Sequence, residues 1–122
     1  MSPLLKLMRT MELFQSHREQ IKLQHIEAFL LVAMRKRVTR NELVETVGMH
    51  LSSAGRNMRT LCQRAYELNG RTYMGLGLIH EEPDPIDSRR FVYTLTHKGQ
   101  RIADQISAIL GSVAVVTGAG LL

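Results

Sequence analysis

Cysteine is the scarcest reactive group in this 122-residue chain: Cys62 stands alone, and a single thiol excludes an intrachain disulfide. Long apolar runs are missing too. None is long enough to span a bilayer and no cleavable leader is recognisable, so the chain is expected to be cytoplasmic and to have no membrane partner. Lys6, Arg9 and Glu12 interrupt the apolar residues between Met1 and Phe14, which makes that segment an amphipathic helix rather than a signal sequence. Aromatic residues supply only 5% of the chain, little material for an aromatic-lined ligand cavity.

Catalytic patterns are also lacking. The five histidines, His17, His25, His50, His80 and His97, are scattered, and none sits in a nucleophile, metalloprotease or phosphate-loop pattern. His80, Glu81, Glu82, Asp84 and Asp87 lie close enough to be assembled into a metal site, but adjacent acids in a loop are more often solvated or paired with arginine. Cys62 adjoins an apolar stripe and reads as a core cysteine. The expectation is a protein that is not an enzyme and uses no metal or cofactor.

What is there is one small basic domain, residues 1–122. With 44% hydrophobic content the chain can bury a single core, and it shows no internal repeat or long linker. Residues 35–64 hold Arg35, Lys36, Arg37, Arg40, Arg56, Arg59 and Arg64 against Glu42 and Glu45. Seven cations against two acids equal the net charge of +5 of the whole chain, so the remainder balances to zero. Such a segment attracts phosphate, and it gains meaning where it coincides with a DNA-reading motif.

A helix-turn-helix lies there. Thr39-Arg40-Asn41-Glu42 matches a capping box, in which the threonine hydroxyl and the glutamate three residues on satisfy each other's backbone donors. Leu43, Val44 and Val47 give the helix a buried side, and Gly48 can close it in the left-handed conformation. After Met49-His50-Leu51, Ser52 or Ser53 can cap a second helix running to about Glu67. At about 100° per residue, Ala54, Met58, Leu61 and Ala65 form one stripe, with Ser52, Arg56, Arg59, Thr60 and Gln63 opposite. Arginine can pair bidentately with guanine, and Ser, Thr and Gln can reach base edges or phosphates. Gly55 costs this helix roughly 1 kcal/mol relative to alanine. It either lets the backbone approach DNA or is a tolerated defect.

Farther on, Arg90-Phe91-Val92-Tyr93-Thr94-Leu95 alternates as a half-buried strand does, and Thr96 suits the N-cap of a following helix. Asp87 precedes Arg89 by two residues, a spacing at which its carboxylate can hold the guanidinium in one orientation. A fixed, always-charged fork on a hairpin tip suits a DNA groove.

From Ile21 to Ile106 the chain resembles the MarR family of bacterial transcription regulators. The run from Gly48 through Ser52-Ser53-Ala54 and Arg56 to Leu61 is similar to the family's helix-turn-helix. Asp87-x-Arg89 followed by Leu95-Thr96-x-x-Gly99 is similar to its wing in residue type and spacing. The resemblance implies that Arg89 reaches the minor groove with Asp87 orienting it. It also implies a small-molecule effector, whose identity the sequence does not specify. Gln63 to Gly77 departs from the family's short turn, and with Asn69-Gly70 it either extends the recognition helix into a loop or forms a small hairpin.

The ends read as dimerisation helices. Leu4, Leu7, Met11 and Phe14 recur at helical-pair spacing over residues 1–16, and Ile102, Ala103, Ile106, Ile109 and Leu110 form a stripe over 97–110. A helix from about Arg18 to Met34 serves the core of the 18–96 winged helix, and the uncharged tail 111–122 is left as strand, partner contact or disorder. The expected architecture is mainly α with a small β-hairpin wing (α+β), a winged helix-turn-helix flanked by dimerisation helices. Its expected function is sequence-specific double-stranded DNA binding as a homodimeric repressor, with the recognition helix, about 52–67, in the major groove and the wing, about 78–95, in the minor groove. Ser52, Ser53, Arg56, Arg59, Thr60, Gln63, Arg89 and Arg90 are the expected DNA contacts. The alternative is a winged-helix interaction module for replication or transcription machinery with weak or no specific DNA binding.

Overall fold

The computed structural model describes residues 2–17, 21–62 and 65–117. Its elements are α1 (Pro3–His17), α2 (Leu23–Arg35), β1 (Val38–Thr39), α3 (Arg40–Val47), α4 (Leu51–Leu61), β2 (Ala65–Leu68), β3 (Arg71–Met74), β4 (Ile79–Pro83), β5 (Phe91–Leu95) and α5 (His97–Thr117). The α+β winged helix-turn-helix expected from sequence is the fold observed. Strands β1, β5 and β4 form an antiparallel sheet in that order, with Val38 opposite Tyr93 and Glu81 opposite Tyr93 on its other edge.

Local signals set the start of α3 and its end. Thr39 Oγ1 accepts from the Glu42 backbone N–H at 3.1 Å, and Glu42 accepts in return from the Thr39 N–H at 3.3 Å. Gly48, at φ +80°, closes the helix. Thr96 caps α5 through the Gly99 N–H at 2.9 Å. The core gathers Phe29 and Val32 of α2, Leu43 of α3, Met58 and Leu61 of α4, Leu78, Ile79 and Tyr93 of the sheet region, and Ile102 of α5. Phe14 of α1 joins it, edge-on to Phe29 at 5.7 Å between centroids.

Several boundaries differ from the sequence expectation. Helix α4 begins at Leu51 with His50 as N-cap, so neither Ser52 nor Ser53 caps it, and it ends at Leu61 rather than near Glu67. Of the two conformations open for the segment after it, the hairpin is the one found. Strands β2 and β3 pair antiparallel through Asn69 and Gly70, both at positive φ as tight hairpin turns require. The chain then returns to α4. The N–H groups of Leu76, Gly77 and Leu78 donate to the carbonyls of Thr60, Cys62 and Leu61 at 2.8, 3.1 and 2.8 Å, satisfying acceptors at the end of the helix. Gly75 permits this approach, since a Cβ there would stand 1.7 Å from the Cys62 oxygen.

At the ends, α2 starts at Leu23, and Arg18 lies outside the described residues. Helix α5 continues through Thr117, so the segment expected as a tail from 111 is helical to that point, and 118–122 lie outside the described residues. The proposed dimer seam divides. Of the expected residues, Phe14, Ile102 and Ile106 are buried within the chain, whereas Leu4, Leu7 and Leu110 are exposed, as is Met8, which the expected seam did not include. No helix among the described residues is long and apolar enough to cross a membrane.

Candidate nucleic-acid interface

Burial of Ala54, Met58 and Leu61 fixes the roll of α4 and turns Ser52, Arg56 and Arg59 to solvent. Neither arginine has an acidic partner among the described residues. Because His50 occupies the N-cap position, the Ser52 hydroxyl is not consumed in capping. Ser53 is half-buried. Thr60, expected on the outer face, is instead buried at 7% exposure, its hydroxyl donating to the Arg56 carbonyl at 3.4 Å. Residues 76–78 lie over the last turn of α4 and cover that side, which helical periodicity alone leaves open. Gln63, Arg64 and the Ala65 side chain lie outside the described set.

The wing is β4, β5 and the turn between them. Asp87 Oδ1 accepts from the backbone N–H and Nε of Arg89, both at 3.1 Å, and its Oδ2 accepts from Arg89 Nη2 at 3.3 Å. The guanidinium is thereby held in a two-point fork while its side chain stays 89% exposed. These hydrogen bonds to Arg89, side chain first and backbone second, hold the Asp87 carboxyl below its ordinary value, with the charge of Arg90 adding to them. Arg90 is also exposed, its Nε 3.6 Å from Asp87 Oδ2. Further bonds fix the turn. Asp84 Oδ1 accepts from Ile86 N–H, the Asp84 N–H donates to the Arg90 carbonyl, and the Arg90 N–H donates to the Asp87 carbonyl, each at 2.9 Å.

Wing and helix-turn-helix meet at a cleft of about 200 Å³, with Asn41 and Leu51 on one side and Arg89, Arg90 and Phe91 on the other. The start of α4 and the arginine-bearing wing therefore border one concavity. The basic segment is less positive than its composition implies. Arg35 pairs with Glu42 at 3.5 Å, Arg37 with Asp84 at 3.7 Å and Arg40 with Glu81 at 3.2 Å. Glu81, Asp84 and Asp87, which lie together in the sequence, thus each engage arginine, and no metal-ligand cluster occurs among the described residues.

No protein-family model and no curated protein matches the chain. Solved structures do match. RV1404 from Mycobacterium tuberculosis superposes with a TM-score of 0.65 at 15% identity, over 97% of this chain and 73% of its own. A mutant MarR from E. coli complexed with operator DNA gives 0.60 at 17% identity, over 88% and 70%. The chain has the MarR-type winged-helix fold. BpsR from Bordetella bronchiseptica, whose DNA binding is regulated by 6-hydroxynicotinic acid, shares it at a TM-score of 0.57 and 15% identity, over 96% and 76%.

Within this MarR-type fold, Arg40 escaped the sequence reading as a site residue. It counted there as one cation in a basic run and as an inner position of the Thr39–Glu42 capping box. Its partners Glu81 and Tyr93 are 41 and 53 residues away, and no local spacing announces them.

Proposed function

We propose that the protein is a double-stranded DNA-binding transcription regulator that works as one domain, a sequence-specific repressor acting as a homodimer. Helix α4 enters the major groove, where Arg56 and Arg59 read base edges and Ser52 and Ser53 contact base edges or the backbone. The wing tracks the minor groove with Arg89 and Arg90. The observation that carries this reading is the Asp87–Arg89 fork, because an exposed guanidinium held by an acid at two points is pre-oriented for insertion rather than merely attracted to phosphate. Exposed Leu4, Leu7 and Met8 on α1 supply the apolar surface for the second copy, which presents paired α4 helices to successive major grooves.

The test is selection of genomic fragments by the purified protein, followed by affinities of Arg56→Ala and Arg59→Ala on the selected duplex and on scrambled DNA. Loss of one base-reading arginine is expected to cost about 1–3 kcal/mol on the selected site and to relax preference at one position. Equal losses on both duplexes would reassign these residues to phosphate contact. Recovery of no preferred site would favour the protein-interaction module.

A further inference from the structure

Arg40 opens α3, and its partly exposed guanidinium, on the cleft that Arg89 and Arg90 also line, is engaged by the wing. Nε donates to Tyr93 Oη of β5 at 3.0 Å, and Nη2 donates to Glu81 Oε2 of β4 at 3.2 Å. Tyr93 Oη donates to the same Glu81 oxygen at 2.8 Å, closing a triangle of hydrogen bonds. The guanidinium carbon also stands 4.9 Å from the Phe91 ring centroid and lies beside Gly55 of α4, where a Cβ, if one were present, would be in ordinary contact at 3.7 Å. One side chain of α3 therefore bonds to both strands of the wing and lies beside α4.

The attachment matters because it joins α3, on which α4 packs, directly to the wing, whereas the backbone tie of α4 lies at its C-terminal end, where residues 76–78 bond to the carbonyls of residues 60–62. That tie and the β1–β5 ladder hold the base of the wing, and the Arg40 bonds add a further hold on its two strands from the start of α3. Glu81 and Tyr93 face each other across the β4–β5 ladder, so the triangle grips the hairpin across its width. Burial opposes the Arg40 cation, but the bonds to Tyr93 and Glu81 outweigh it and hold the guanidinium charged; burial foremost raises the Tyr93 phenol, the Arg40 bond opposes that and Glu81 adds to it, so the phenol stays protonated.

We propose that Arg40 is a positioning residue that, through Glu81 and Tyr93, sets the angle between the wing and α4. The clamp itself does not depend on DNA. Its consequence, that Arg89 and the α4 arginines meet one duplex in a fixed relative placement, rests on the function proposed above. Holding the two contact elements in place before binding lowers the ordering cost of engaging both.

The test pairs two readouts. Spin labels at Ser52→Cys and Ser88→Cys, in a Cys62→Ala background, report the helix-to-wing distance by electron–electron resonance. The distribution is expected to be narrow in the parent and clearly broader in Arg40→Met, with helical circular dichroism retained. Arg40→Lys, which keeps the charge but loses the fork, is expected to broaden it as well. Should Arg40→Met fail to fold because Glu81 has lost the Arg40 cation, Arg40→Met/Glu81→Gln removes the Glu81 charge as well. On the selected duplex, Arg89→Ala is expected to weaken the parent about tenfold or more, and an Arg40→Met protein by less than about threefold. An unchanged distance distribution in the folded variant would overturn the clamp. An undiminished Arg89 penalty would overturn its consequence and make Arg40 an ordinary contributor to stability or phosphate binding. A broadened distribution in a protein that binds no duplex in any form would support the clamp and refute the DNA-binding function.

Discussion

At the residue scale, Asp87 is an acid on a surface proposed to meet phosphate, and its geometry resolves the apparent conflict. Its carboxylate spends both oxygens on Arg89, so its value lies in direction rather than charge. Replacing Asp87 by alanine is expected to weaken duplex binding several-fold, since Arg89 must then be ordered on binding. Simple electrostatics predicts the opposite sign, because removing an acid raises the local positive potential. Affinities of Asp87→Ala and Arg89→Ala across a salt series, with a thermal melt to show that each is folded, separate the two; tighter binding by folded Asp87→Ala would reduce the wing to a generic basic contact. The protonation behaviour follows from the same bonds. Because Arg89 lowers the Asp87 pKa, the fork is fully present above the ordinary carboxylate value of 3.8 and is lost only as pH falls through the lowered one. Carbon NMR of the Asp87 carboxyl should show that low midpoint, and Arg89→Gln should return it toward 3.8.

At the element scale, two glycines call for opposite responses to one methyl group. Gly55 sits inside α4 with its nearest foreign atom 3.7 Å from a built Cβ, an ordinary contact. Gly55→Ala is expected to stabilise the fold by up to about 1 kcal/mol through helix propensity. Gly75→Ala drives a Cβ into the Cys62 carbonyl and is expected to destabilise by about 1–3 kcal/mol. Urea melts of both variants measure the difference, and equal effects would contradict the tight return of the chain to α4. The same region shows what sequence reasoning reaches. The Thr39–Glu42 box, the Gly48 terminator, the Thr96 cap and the Asp87–Arg89 fork were all legible, because each is completed within four residues. The end of α4 was not, because residues 76–78 determine it from across a hairpin. Thr60 was placed on the wrong side for the same reason, and the Arg40 triangle joins residues whose proximity only the folded sheet creates.

At the scale of the whole molecule, the division of α1 alters how association must be probed. Removing residues up to Gln15 would take away Phe14, whose ring packs on Phe29 inside the chain, so truncation would confuse unfolding with dissociation. Substituting exposed residues avoids this. Leu4→Glu/Leu7→Glu is expected to sediment as a monomer at concentrations where the parent is a dimer, with its helical content intact. A parent that is itself monomeric, or a doubly substituted dimer, would remove α1 from the interface. The tie between α4 and the segment after its hairpin has a different consequence, one for descent. The last carbonyls of α4 are answered by backbone N–H groups rather than by side chains, so exchanges among apolar residues at the buried positions 76 and 78 can keep these bonds. An insertion that lengthens α4 has no such freedom, because it displaces every donor from its acceptor at once. Helix length and wing placement are therefore inherited together, and the reading surface can diversify by exchanging side chains far more readily than by changing its dimensions.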